Sequence, residues 1–153
     1  MKKWLIIALL FLTNFAFAVD QEREVAKRLV KEAIAYSKAH GSSKTIDAIN
    51  GERKFMEGSI YVTIFDMKAT CLAHPTKPDR IGVNFINEKD ADGVAMMQDR
   101  VRIAEKIVKG PLKDEERWQY YKFQNPLTKK LEPKAVYLDV YEGLIYAAGA
   151  YHH

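Results

Sequence analysis

Three stretches at the C-terminal end of the chain, residues 118–124, 134–141 and 144–151, read as β-strands and are separated only by short turn-forming links. Glu142-Gly143 is a tight hairpin connection, and Asn125-Pro126 opens a loop with turn chemistry between the first pair. Links this short leave no room for a crossover, so the strands must pair antiparallel. That excludes a doubly wound parallel sheet and makes the remaining elements find their places against an antiparallel one.

Those elements come earlier. Residues 59–66 alternate, with Ile60, Val62 and Ile64 on one side and Tyr61, Thr63 and Phe65 on the other, the period of a strand. A polar turn at 66–69 leads into a second strand over 70–73. Pro75 and Pro78 then make residues 74–87 an irregular crossover. Before the strands, Val25, Leu29, Ala33 and Tyr36, widened by Ala26, Val30 and Ile34, mark an amphipathic helix over 21–40 that ends at Gly41. Ser42 or Ser43 is placed to cap a short helix over 44–49. A further helix is expected over about 90–109 from Val94, Met97, Val101, Ala104 and Val108, with Asn87 as its cap and Gly110-Pro111 as its stop. The sum is an α+β domain: a five-stranded antiparallel sheet, a long N-terminal helix and a helical crossover, an arrangement that resembles PAS-like sensor domains.

At 153 residues and 48% hydrophobic, the chain has room for one core and a small pocket. The first 18 residues are expected to stand outside that core. Lys2 and Lys3, the apolar run 4–12 and Ala16-Phe17-Ala18 have the order of a cleavable secretory signal, so the mature chain is expected over 19–153 in the periplasm. The alternative is an uncleaved anchor, although the run is close to the lower length limit for a span. Removing Lys2 and Lys3 takes two from the formal charge of +4, which leaves no electrostatic case for nucleic acid.

Cys71 is alone and is expected to be a buried thiol in a strand. The four histidines lack the paired spacing of a zinc site, so neither metal nor cofactor is expected. No nucleophile elbow, Walker loop or paired-carboxylate context is present, and the chain does not read as an enzyme.

Aromatic residues gather in the last third: Trp118, Tyr120, Tyr121, Phe123, Tyr137, Tyr141, Tyr146 and Tyr151. They suit a pocket wall as well as a sheet surface with polar tips in water. Lys134 opens a strand close to Tyr137, where an ammonium and phenol hydroxyls can converge on a carboxylate; the competing reading is a solvated lysine. Positions 134 and 137 have opposite parity, so a bend or bulge is needed to turn both inward. His74, at the junction of strand and proline-stiffened loop, suits either a loop-fixing hydrogen bond or a pocket.

The motifs Ile60-Tyr61-Val62-Thr63-Ile64-Phe65-Asp66, Leu72-Ala73-His74-Pro75, Gly82-x-Asn84, Gly93, Trp118-x-x-Tyr121-x-Phe123, Asn125-Pro126, Lys134-x-x-Tyr137 and Gly149-x-Tyr151 occur in that order. Together they resemble the single Cache domain of bacterial extracytoplasmic sensors, over nearly the whole chain beyond the leader. The resemblance implies a PAS-like sheet that cups a small organic ligand, often a short carboxylate, with Tyr61, His74, Trp118, Tyr121, Lys134 and Tyr137 in or beside the pocket. It departs in three respects: Ala69 and Thr70 stand where a hairpin glycine is usual, Arg117 replaces a glycine, and Phe123 replaces a tryptophan. Such domains usually precede a transmembrane helix, yet here the sequence closes two residues after Tyr151. The expectation is a free ligand-binding module that signals through a separate membrane-bound partner. The alternative is a protein with a vestigial pocket whose N-terminal helix mediates homodimerisation or docks onto a membrane-bound partner.

Overall fold

The protein is described by a computed structural model over residues 3–151, with side chains from Phe17 onward. The expected leader therefore lies largely outside the described side chains, and His152 and His153 lie outside the described residues. Helix α1 runs over Lys3–His40. Its buried stripe is Ala26, Leu29, Val30, Ala33, Ile34 and Ser37, while Val25 and Tyr36 sit at the rim. Among the described residues no helix is long and apolar enough to cross a membrane.

Helix α2, Ser42–Glu52, follows after Gly41. Gly41 is its N-cap residue, and neither Ser42 nor Ser43 caps it: the Ser42 hydroxyl donates to Glu142 instead. Strands β1 (Met56–Glu57), β2 (Ile60–Asp66), β3 (Cys71–Ala73), β4 (Trp118–Gln124), β5 (Leu131–Tyr141) and β6 (Leu144–Tyr151) form one antiparallel sheet in the order β1-β2-β6-β5-β4, with β3 also paired to β2. The five expected strands are all present, and the two-residue β1 is added to them. Glu142 and Gly143 both have positive φ, 50° and 70°, as the hairpin between β5 and β6 requires.

The sheet has a packed layer on each side. On one face Ile60, Val62, Ile64, Tyr137, Tyr146 and Ala148 meet the stripe of α1. The Tyr146 hydroxyl lies 2.8 Å from Ser37 Oγ, which donates to Thr45 at 2.7 Å, so the polar atoms this interface buries are satisfied. On the other face Phe65, Val136, Leu138, Ile145 and Ala147 pack against helix α3, Met96–Lys109, through Met96, Met97, Ile103 and Ala104. Cys71 lies buried there, and burial pushes its thiol up to about 11, which keeps it an inert thiol.

Helix α3 starts six residues later than its apolar pattern predicts. Asp90 explains the delay: its Oδ1 accepts from the backbone N–H groups of Asp92 and Val94, both at 2.9 Å, and its Oδ2 from that of Lys122 at 2.9 Å. A short carboxylate competing for backbone donors favours a turn over a helix. Val94 is left exposed, and residues 90–95 instead tie the crossover to β4.

Ala69, in the turn between β2 and β3, has a φ of 68° and is fully buried. A left-handed alanine costs roughly 1–2 kcal/mol, of which the greater freedom of an unfolded glycine cancels a part. Ala69→Gly is therefore expected to stabilise the domain by about 0.5–1 kcal/mol. Urea unfolding at neutral pH checks this, since an unchanged or lower midpoint would contradict the assigned strain.

Candidate ligand cavity

Between the sheet and the crossover lies a small, partly enclosed cavity. Its floor is Tyr61, Thr63 and Phe65 of β2, Tyr121 and Phe123 of β4, Lys134 and Val136 of β5, and Ala147 and Gly149 of β6. The roof is His74, Arg80, Met96, Met97 and Arg100. Counted as space open to the centre of a water molecule, its volume is ≈ 20 Å³, above the roughly 10–15 Å³ that one water needs. The space as it stands is that of about one or two water molecules, and anything larger requires the lining side chains to move apart. Larger hollows, such as one of ≈ 590 Å³ beside Arg23 and Trp118, are open surface grooves.

Lys134 dominates the cavity. It is cross-strand partner to Tyr121 on β4 and to Tyr151 on β6, and its stem crosses β6 over Gly149. A Cβ at position 149 would lie 2.5 Å from Lys134 Cε and 2.7 Å from Val136 Cγ2, so this crossing needs glycine. The amine ends 4.3 Å from the Tyr61 ring centre, 4.6 Å from that of Tyr151 and 5.5 Å from that of Phe123. Lys134 is only 5% exposed, yet it has no hydrogen-bond acceptor or carboxylate partner among the described residues. Burial first, then Arg100 and Arg80, hold its pKa well below the ordinary lysine value.

The other polar groups are chiefly donors. Arg100 is buried without a carboxylate; its Nε donates to Gln119 at 3.2 Å and its Nη2 to the Tyr121 hydroxyl at 2.7 Å. Gln119 also donates to the Met96 carbonyl, which ties the guanidinium to the start of α3. Arg80 donates through both Nη atoms to Glu88, at 2.8 and 2.6 Å, while its buried Nε has no partner. His74 Nδ1 accepts the backbone N–H of Lys77 at 3.1 Å, so the ring proton of the neutral imidazole sits on Nε2. Burial, then the charges of Lys134, Arg80, Lys77 and Arg100, lower its pKa to about 2. The cavity thus offers amine, guanidinium, imidazole and phenol donors, and the carboxylates around it are engaged, Glu88 by Arg80 and Glu132 by Asn125 and Thr128.

A family model described as single Cache domain 2 matches residues 18–144. The chain belongs to the single Cache domain family. Solved structures with the same fold include a methyl-accepting chemotaxis protein from Vibrio parahaemolyticus RIMD 2210633, with a TM-score of 0.71 and 17% identity over 92% of this chain and 95% of that one. A second was described under the heading "Structural basis for carboxylic acid recognition by a Cache chemosensory domain", with a TM-score of 0.62 and 19% identity over 96% and 97%. A third, the periplasmic sensor domain of a chemotaxis protein, gives a TM-score of 0.61 and 20% identity over 90% and 97%.

Of the six residues singled out by sequence, this Cache domain brings Tyr61, His74, Tyr121 and Lys134 to the cavity. It does not bring Trp118 and Tyr137 there. The β4–β5 register is uninterrupted, so no bulge turns Tyr137 to the side of Lys134. Tyr137 packs under α1, and Trp118, paired with it at 5.3 Å between ring centres, carries Arg23 4.4 Å above its ring. Sequence reasoning missed Arg80 and Arg100. Arg100 had a legible signal: it falls on the same helical face as Met96, Met97, Ile103 and Ala104, where a charge needs a reason. Arg80 sits in an aperiodic crossover that offers no such pattern.

The depressed His74 pKa makes a sign-definite prediction. The native ring stays neutral down to about pH 2, while the unfolded ring takes a proton below about 6.5, so falling pH favours the unfolded state. Between pH 7 and 5 this group alone removes about 2 kcal/mol of stability. His74→Gln, which keeps an acceptor for the Lys77 N–H, is expected to lose less stability over that interval by that amount in urea titrations. Equal losses in the two proteins would show that the native imidazole titrates normally.

Proposed function

We propose that this Cache domain is an extracytoplasmic receptor for a short carboxylate and passes the signal to a separate membrane-bound protein. The observation that carries this reading is the buried Lys134 amine, which faces a small cavity with no acceptor of its own. A buried amine with no acceptor is costly to charge, and a carboxylate stabilises its ammonium form together with the free donors of Arg100 and His74. Phe65, Val136 and Met97 offer a short apolar wall for the rest of the molecule. Binding and not catalysis fits this donor set, since no nucleophile and base are paired in the cavity. The family match opens at residue 18, where the leader is expected to end, which supports export of the domain.

Charge sets the specificity. A free α-ammonium group meets Lys134, Arg80 and Arg100 in the cavity and finds no unengaged carboxylate, so amino acids are excluded where simple acids are accepted. The docking alternative fits less well, because a vestigial pocket gains nothing from an unpaired lysine. The outward side of α1 is charged, with Arg28 paired to Glu32 at 2.9 Å and to Glu57 at 2.7 Å. Among the described side chains it offers no continuous apolar stripe for a helix-mediated dimer.

Thermal unfolding with formate, acetate, propionate and alanine tests this reading. Saturation at about 100 times the dissociation constant stabilises by roughly 2.7 kcal/mol, which raises the midpoint by roughly 5–10 °C for a domain of this size. At least one simple acid is expected to give such a shift and alanine none. Lys134→Met is expected to abolish the shift while stabilising the ligand-free protein by about 1–3 kcal/mol, because a buried ionisable group is replaced by an apolar chain. A shift that survives in this variant would remove Lys134 from the recognition role.

A further inference from the structure

We propose that the cavity takes up one proton with each carboxylate it binds, and that the amine of Lys134 receives it. The inference rests on the carboxylate reading above and adds to it a dependence on acidity. Its basis is the set of groups that face the amine. Arg100 comes from α3 and Arg80 from the crossover, and both oxygens of Glu88 are engaged by Arg80. His74 faces it from the end of β3, and the phenols of Tyr61, Tyr121 and Tyr151 from β2, β4 and β6. Before a ligand enters, these surroundings supply two guanidiniums, a neutral imidazole and three phenols around a buried amine, and the Glu132 carboxylate that bears on Tyr151 accepts from Asn125 and Thr128. The neutral amine is the form they favour, in accord with the downward shift of its pKa.

A carboxylate reverses each of those influences. It brings the missing acceptor and a negative charge into contact with the amine, and the ring faces of Tyr61 and Tyr151 lie within cation–π distance of the ammonium that forms. The balance is a carboxylate, a neutral amine and one proton from the medium giving a carboxylate–ammonium pair. No bond other than the new N–H is made or broken. The ligand does not supply that proton itself, since a simple carboxylic acid is ionised at neutral pH.

The other groups in the cavity are poor carriers. Protonating His74 places a hydrogen on Nδ1, where it meets the Lys77 N–H that this nitrogen accepts. Burial pushes the Tyr61 hydroxyl up to about 12 and moves that of Tyr151 upward as well, so both stay protonated throughout. Uptake of a full proton ties affinity to acidity: the apparent dissociation constant rises about tenfold for each pH unit over the interval in which the empty site is neutral and the filled site charged. The domain then responds to a carboxylate and to acid jointly, and more strongly when both are present.

Calorimetric titration of the purified protein with acetate or propionate between about pH 7 and 9, in phosphate and in Tris, reads the proton count from the dependence of heat on buffer ionisation. Uptake approaching one proton per ligand is expected. Nitrogen NMR of lysine-labelled protein gives a second reading that needs no variant: the Lys134 Nζ signal should move from the amine to the ammonium position on saturation. Binding with no proton uptake and no change of that signal overturns the proposal and leaves the carboxylate reading intact. Failure of formate, acetate and propionate to bind at any of these pH values overturns both. Full uptake retained in a Lys134→Gln variant that still binds overturns the assignment to Lys134.

Discussion

The passage of the Lys134 stem over Gly149 is the contact on which the cavity depends. Lysine starts on β5 and its amine ends against Tyr61 on β2, two strands away across β6. A side chain on the intervening strand blocks that path, because even a methyl carbon would lie 2.5 Å from Cε. Glycine inside a central strand is otherwise unfavourable, since it gives up packing and conformational entropy. Here it lets a long amine-bearing side chain cross beneath the crossover and end among the rings of Tyr61, Tyr151 and Phe123. The carbon stem of lysine covers the gap the glycine leaves, so the strand loses little of its packing.

The two faces of the sheet differ in how well they can be filled. A regular helix lies along one face, and α1 closes it with interlocking Ala26, Val30 and Ala33. The opposite face is covered partly by α3 and partly by an irregular segment with two prolines, which cannot present a periodic apolar row. Its roof is held instead by point contacts: the paired bonds of Arg80 to Glu88 and the bond from the Lys122 N–H to Asp90. A cavity under this segment follows from that difference in regularity. Strand β6 belongs to both layers, with Ala147 and Gly149 toward the cavity and Tyr146 and Ala148 toward α1. Tyr146 meets Ser37 of α1 directly, so a displacement of β6 is felt by the helix without an intermediary.

The same alternation decides what the sequence could disclose. Strand periods and turn residues located every major strand, and the opposite parity of positions 134 and 137 already argued against a joint role, which the continuous register of β4 and β5 explains. Family-like spacing drew Trp118 and Tyr137 into the expected pocket because motif order carries no information about which face a residue occupies. The apolar spacing places the start of α3 too early because Val94 fits it, while the turn that Asp90 makes with Asp92 and Val94 leaves no periodic trace and its bond from Lys122 is long-range. Arg100 lay in view on the apolar face of a helix, but its meaning comes from Gln119 and Tyr121, which approach it only in the folded chain. Ala69 in place of a glycine was legible as a departure. Its positive φ shows that the turn kept its left-handed geometry and absorbed strain.

The charge arrangement also bears on why such a site is selective at small size. In an apolar pocket of a few heavy atoms, the difference of one methylene is worth only about 1–3 kcal/mol, so shape alone discriminates weakly among short acids. A buried group left without its partner costs more than that and does so for every guest that fails to supply it. Neutral molecules leave Lys134 and Arg100 unanswered, and ammonium-bearing ones add a third repulsion. On the proposed carboxylate reading, recognition is assigned to what the guest must bring, a negative oxygen pair, and the apolar wall is left to grade chain length. The proposed receptor is narrow with respect to charge and broad with respect to hydrocarbon, and both properties would follow from leaving one lysine without an acceptor.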